Sequence, residues 1–170
     1  MQRFSRLQPG ISVGHPNVTA GTLGLVVKDD RSGRPAILSN WHVLAGSASA
    51  TPGDATIQPG SFDGGRVPRD TVAALERMIL DKDGDAAIAL LTNARSHDLS
   101  ICDLGKVVKS IKETNIGDIV VKSGRTTQVT KGRVDGKGRL FSTTPSAELV
   151  LMGLLSFRLT ARIPIMLRHP

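Results

Sequence analysis

At 170 residues with 39% hydrophobic content, the chain is long enough for one globular domain or two small units sharing an interface. Glycine 18 and proline 9, set against 3% aromatic residues and no tyrosine, argue against a helical bundle and for many short strands joined by turns. The single cysteine, Cys102, excludes an internal disulfide framework, and the net charge of +7 raises nucleic acid as a partner class. The placement of the basic residues then argues against it. Lys122, Arg125, Lys131, Arg133, Lys137 and Arg139 are spaced among Val, Thr and Gly as on the solvent face of a hairpin, with no aromatic residues between them to stack on bases.

In chain order, MQRFSRLQPG carries basic residues with no apolar run behind them, so neither a secretory leader nor a membrane span is expected, and the cytoplasm is the expected compartment. Residues 21–38 read as strand, polar turn over 29–33, strand. The next text, ILSNWHVLAG at 37–46, ends an apolar run on the only tryptophan and a histidine, His42, before a small-residue turn. Residues 53–65 predict a short strand between Gly- and Pro-rich turns, and residues 69–80 an extended segment. DKDGDAAIALL at 81–91 reads as a tight acidic turn followed by a buried strand. It is not an EF-hand: Gly84 is fourth from Asp81, not sixth, and the twelfth residue is Thr92, not a glutamate.

Residues 92–105 turn polar and suggest a boundary, giving a first unit over 1–98 and a second over 99–170. In the second, DIVVKSG, TTQVTKGRVDG and GRLFSTT read as strands with turns at Gly124, Gly132 and 136–138. The tail, AELVLMGLLSFRLTARIPIMLRHP, lacks the turn signals found elsewhere.

A serine hydroxyl is a weak nucleophile at its own pKa, so hydrolysis of this type needs a histidine to take its proton and a carboxylate to hold the imidazole tautomer. His42 and Asp85 are the candidates: each stands at a strand–turn junction of the first unit, in the order His then Asp. Here a resemblance enters. SNWHVLA resembles the histidine motif, and DAAIAL the aspartate motif, of trypsin-like (chymotrypsin-fold) serine peptidases. SVGHPNVTAGTLG, IQPGSFDGG and VKSGRTTQVTKGRV are similar to text in a bacterial branch of that family, so the resemblance covers residues 9 to 140. It implies an all-β fold of two antiparallel barrels, with His42 and Asp85 on the first, a serine on the second and the cleft between them. It implies peptide or protein substrates, acyl transfer to serine and then to water, and no metal or organic cofactor. His42 would end its strand at the cleft to reach a nucleophile on the other barrel.

The pattern breaks after SGRTT. The family's nucleophile lies in G-D-S-G, whose backbone N–H groups also form the oxyanion hole, and this chain has no such text. Ser142, Ser146 and Ser156 lack flanking glycines, Ser123 belongs to the opening strand of the second unit, and Cys102 falls in the boundary segment. Asp83 is the runner-up carboxylate, and His15, His97 and His169 read as surface or loop residues. Either the chain has lost its nucleophile strand, or a reading-frame change near 140–150 replaced the end of an ordinary peptidase. In both cases the second barrel is incomplete, little or no proteolysis is expected, and open strand edges favour self-association. The rival reading is a noncatalytic β module that binds a peptide or protein partner.

Overall fold

The computed structural model describes residues 2–81 and 84–136, together with the backbone of residues 167–168. The chain runs through β1 (Arg6–Leu7), β2 (Ser12–Val13), β3 (Gly21–Thr22), β4 (Leu25–Lys28) and β5 (Pro35–Ser39) into one helical turn, α1 (Trp41–Leu44). After it come β6 (Ala55–Ile57), a 3-10 turn (Ser61–Asp63), β7 (Thr71–Asp81), β8 (Gly84–Leu91) and β9 (Ser96–His97). The last described strands are β10 (Ile119–Gly124), β11 (Gln128–Arg133) and β12 (Leu167–Arg168).

Strands β4, β5, β8, β7 and β6 form one antiparallel sheet in that order. Its two ends approach each other through a smaller piece. β2 pairs with β3, an isolated bridge joins Gly14 to Ile57 at the end of β6, and residues 21–28 carry β3 on into β4. The Gly24 N–H also donates to the Leu38 carbonyl at 3.0 Å. The seam is held by short pieces, among them the two reciprocal bonds between Gly14 and Ile57, not by a continuous ladder. Inside lie Leu7, Val13, Leu23, Ile37, Leu44, Ile57, Val72 and Leu75, each almost fully buried and each contributing about 1.5–3 kcal/mol of transfer free energy.

The period-2 rule shows most plainly in β8, where Asp85, Ala87, Ala89 and Leu91 are buried and the residues between them are half-buried. Residues 69–80, expected to be extended, form most of β7, with a bulge between Leu75 and Arg77. The N-terminal segment is tied across the same barrel. β1 pairs in parallel with β9, the Phe4 N–H donates to Gln58 Oε1 at 3.1 Å, and Arg3 Nε donates to Asp70 Oδ1 at 2.7 Å.

In the second unit β10 is flanked by β11 and β12, both antiparallel to it. Here the structure corrects two expectations. Gly132 is not a turn residue; it lies inside β11 opposite Val120. The reversal occurs between Gly124 and Gln128, where Gln128 adopts a positive φ of 52°, a conformation that residue type does not advertise. Nor do all the basic residues face solvent. Lys131 and Arg133 are exposed, but Lys122 is half-buried and Arg125 is turned inward onto the first barrel. Lys137, Arg139 and the strand expected over 138–144 lie outside the described residues. Among the described residues no helix is long and apolar enough to cross a membrane.

Candidate active site

The site is built where β5 and β8 end side by side. Their register pairs Ser39 with Ala87, and two residues further along it Trp41 stands opposite Asp85. The Trp41 N–H donates to Asp85 Oδ1 at 2.7 Å, and the Asn40 side-chain amide donates to the Asp85 carbonyl at 3.0 Å. Asn40 is therefore not spent on capping α1: it has an extended backbone, φ −71° and ψ 153°, and makes no side-chain bond to the helix. It pins two strands together instead.

His42 does not terminate β5, as the sequence suggested. The strand stops at Ser39, and His42 is the second residue of α1. The cause is local: the Val43 and Leu44 N–H groups both turn back to the Asn40 carbonyl, which coils the chain and swings the imidazole over the end of β8. Its Nδ1 lies 2.7 Å from Asp85 Oδ2. The Asp85 side chain is 2% exposed and that of His42 27%, so the carboxylate is the buried anchor and the ring its outward extension. An ionised carboxylate only accepts, so the proton of this bond belongs to Nδ1, and in the neutral form of the ring the lone pair is on Nε2. Among the described residues Nε2 has no hydrogen-bond partner.

The helical turn is held from below. Val43 and Leu44 are buried, and the His15 N–H donates to the Val43 carbonyl at 2.8 Å. His15 is thus no surface residue: it is 8% exposed, its Nδ1 accepts from the Asn17 N–H at 3.1 Å, and its Nε2 lies 3.5 Å from Asp54 Oδ2. Gly46 ends the turn at φ +73°, and a β-carbon there would sit 2.0 Å from Val18 Cγ1, so only glycine fits.

The other candidates separate from this centre. His97 is exposed on β9. Ser123 is buried in β10 facing Gly10, and burial pushes the Cys102 thiol above its ordinary pKa, which leaves it a poor nucleophile. Asp83, His169, Ser142, Ser146 and Ser156 lie outside the described residues. Among the described residues no three His, Cys, Asp or Glu side chains converge as metal ligands. Sequence reasoning missed the contact between the units: Arg125 forms a two-pronged ion pair with Asp63, at 2.7 and 2.6 Å. No spacing rule links residues 62 positions apart.

Solved structures with the same arrangement of strands are bacterial proteases. Thermobifida fusca Protease A shares 16% identity and a TM-score of 0.56 over 78% of this chain and 61% of its own. Nocardiopsis protease (NAPase) gives 16% and 0.57 over 81% and 65%. A glutamic-acid-specific serine protease that uses a histidine triad in substrate binding gives 17% and 0.56 over 79% and 65%. The fold is that of the chymotrypsin-like serine proteases. It is an all-β double barrel whose second barrel, three strands among the described residues, is incomplete. The chain spans 61–65% of the length of these three proteins. No protein-family model matches the sequence, and no curated protein sequence does. Within the chymotrypsin-like plan, His42 and Asp85 both belong to the first barrel, and β10 and β11 to the second.

Proposed function

We propose that this chain is a homologue of the trypsin-like serine peptidases that keeps the proton-handling half of a Ser/His/Asp mechanism. His42 is its general base, acting through Nε2, and Asp85 holds the tautomer and balances the imidazolium that forms when the proton is taken. The observation that carries this reading is the bond between His42 Nδ1 and Asp85 Oδ2, with the carboxylate buried and Nε2, itself buried, without a hydrogen-bond partner among the described residues. A histidine recruited only for packing would need neither the buried acid nor the bond from Trp41 that orients it.

The peptide or protein ligand lies in the cleft between the barrels. Because the 170 residues contain no G-D-S-G, this chain does not by itself form an acyl-enzyme. The same fact favours the second reading, a noncatalytic β module whose cleft retains a peptide or protein. Hydrolysis of casein and of a peptide ester by the purified chain and by His42→Ala separates the two. Equal, background-level rates together with peptide binding support the noncatalytic state. Turnover that disappears in His42→Ala supports an enzyme with a nucleophile outside G-D-S-G text.

A further inference from the structure

Arg125 lies between β10 and β11 and reaches back to the first barrel in three ways. Its guanidinium grips Asp63 through Nε and Nη2, with Asp63 4% and Arg125 15% exposed. The same group lies 5.4 Å from the centroid of the Phe62 ring. Its backbone N–H donates to Thr22 Oγ1 at 3.1 Å. Asp63 is itself fixed, because Ser12 Oγ donates to it at 2.5 Å and accepts from the Gly60 N–H at 3.0 Å. A two-pronged pair of this kind sets orientation as well as distance.

Thr22 is where this contact meets the His–Asp pair. Its carbonyl accepts from Ser39 Oγ at 2.8 Å. Ser39 is the last residue of β5, and the next three are Asn40, Trp41 and His42, of which the first two hold Asp85 and the third is held by it. The path Arg125, Thr22, Ser39, Asn40, Asp85, His42 is made of four hydrogen bonds and one chain step, from Ser39 to Asn40, and has no gap. β5 needs such a fixture, because the one-turn helix behind it has no side-chain cap of its own.

We propose that Arg125 is a positioning residue: docking of the second unit through Arg125 fixes Thr22, and through Ser39 fixes the strand end that presents His42 to Asp85. The geometry of the pair then depends on the presence of the second unit. This concerns the pair as a structure and holds whether or not the chain turns over peptides.

The test reads the tautomer of His42 in the full-length chain, from the nitrogen shifts of Nδ1 and Nε2 correlated to the ring protons by NMR. The wild type should show a protonated Nδ1 and a bare Nε2. Arg125→Ala should collapse that difference towards the average of two exchanging tautomers while the backbone amides of β6 and β7 stay in place, and Arg125→Lys should recover part of it. Arg34→Ala, which removes a contact to the Leu91 carbonyl far from Thr22, should leave the difference intact. An Arg125→Ala protein with the wild-type difference overturns the proposal, and so does the same collapse in Arg34→Ala. If Arg125→Ala fails to fold, Thr22→Val decides: it deletes the acceptor of Arg125 and keeps the carbonyl that holds Ser39, and an unchanged difference there overturns the proposal.

Discussion

Asp85 shows how one side chain decides the chemistry of another. Its two oxygens are divided between the Trp41 N–H and His42 Nδ1, both at 2.7 Å. Asp85→Asn keeps the shape but sets an amide N–H against one of those two donors, so the substitution should cost about 1–3 kcal/mol, read from urea unfolding. A change within about 0.5 kcal/mol, the range of neutral surface substitutions, would mean that the bonds do not orient the pair. Asp70 makes the corresponding argument for acid stability. Burial pushes its carboxyl up, but Arg69, Arg3 and the Arg66 backbone N–H outweigh that and hold it below the usual carboxylate range. Asp63, gripped by Arg125, and Asp29, bonded by Ser32, are lowered as well. A group lowered in the folded state contributes stability that is complete above its unfolded value of about 4 and is lost as pH falls from there towards the folded value. Unfolding midpoints in urea should therefore drop steeply below that value, and less steeply in Asp70→Asn. Parallel curves for the two proteins would remove Asp70 from the account.

At the scale of elements, α1 rests on a glycine. Replacing Gly46 by alanine puts a β-carbon into Val18 at a positive φ and should cost about 1–3 kcal/mol, with chemical-shift changes centred on residues 41–46. Wild-type stability in that variant would show that the turn is set elsewhere. The strands were legible because their signals are local: the apolar run behind the acidic turn at 81–91 and the polar turn before Pro35–Ser39. So was the proximity of His42 and Asp85, through motif text that two neighbouring strands must carry together. The helical turn under His42 was not, because four residues leave no periodicity to read. The turn after Gly124 was legible too, but the positive φ at Gln128 that completes it was not, because it falls on a residue without turn propensity, and His15 escaped because its burial depends on packing against Val43 and Asp54, which are distant in sequence.

The whole molecule is a barrel with a well-packed core carrying a histidine and an aspartate, joined through Arg125 and Asp63 to a second unit that supplies β10, β11 and β12. In a chymotrypsin-like plan the first barrel provides the base and the second the nucleophile, so the two halves of the mechanism are separable in principle, and the function proposed for this chain keeps only the first half. The motif text legible in the first barrel and missing beyond SGRTT is the same division seen in sequence. The central claim is that a built His42–Asp85 pair here faces no activated serine, and covalent labelling tests it most directly. The purified chain is treated with a fluorophosphonate, which phosphonylates only a serine activated by a neighbouring base, and the intact mass is read beside that of His42→Ala. The account predicts no adduct on either protein. A stoichiometric adduct on a single serine of the wild type, absent from His42→Ala, would contradict it and identify the nucleophile.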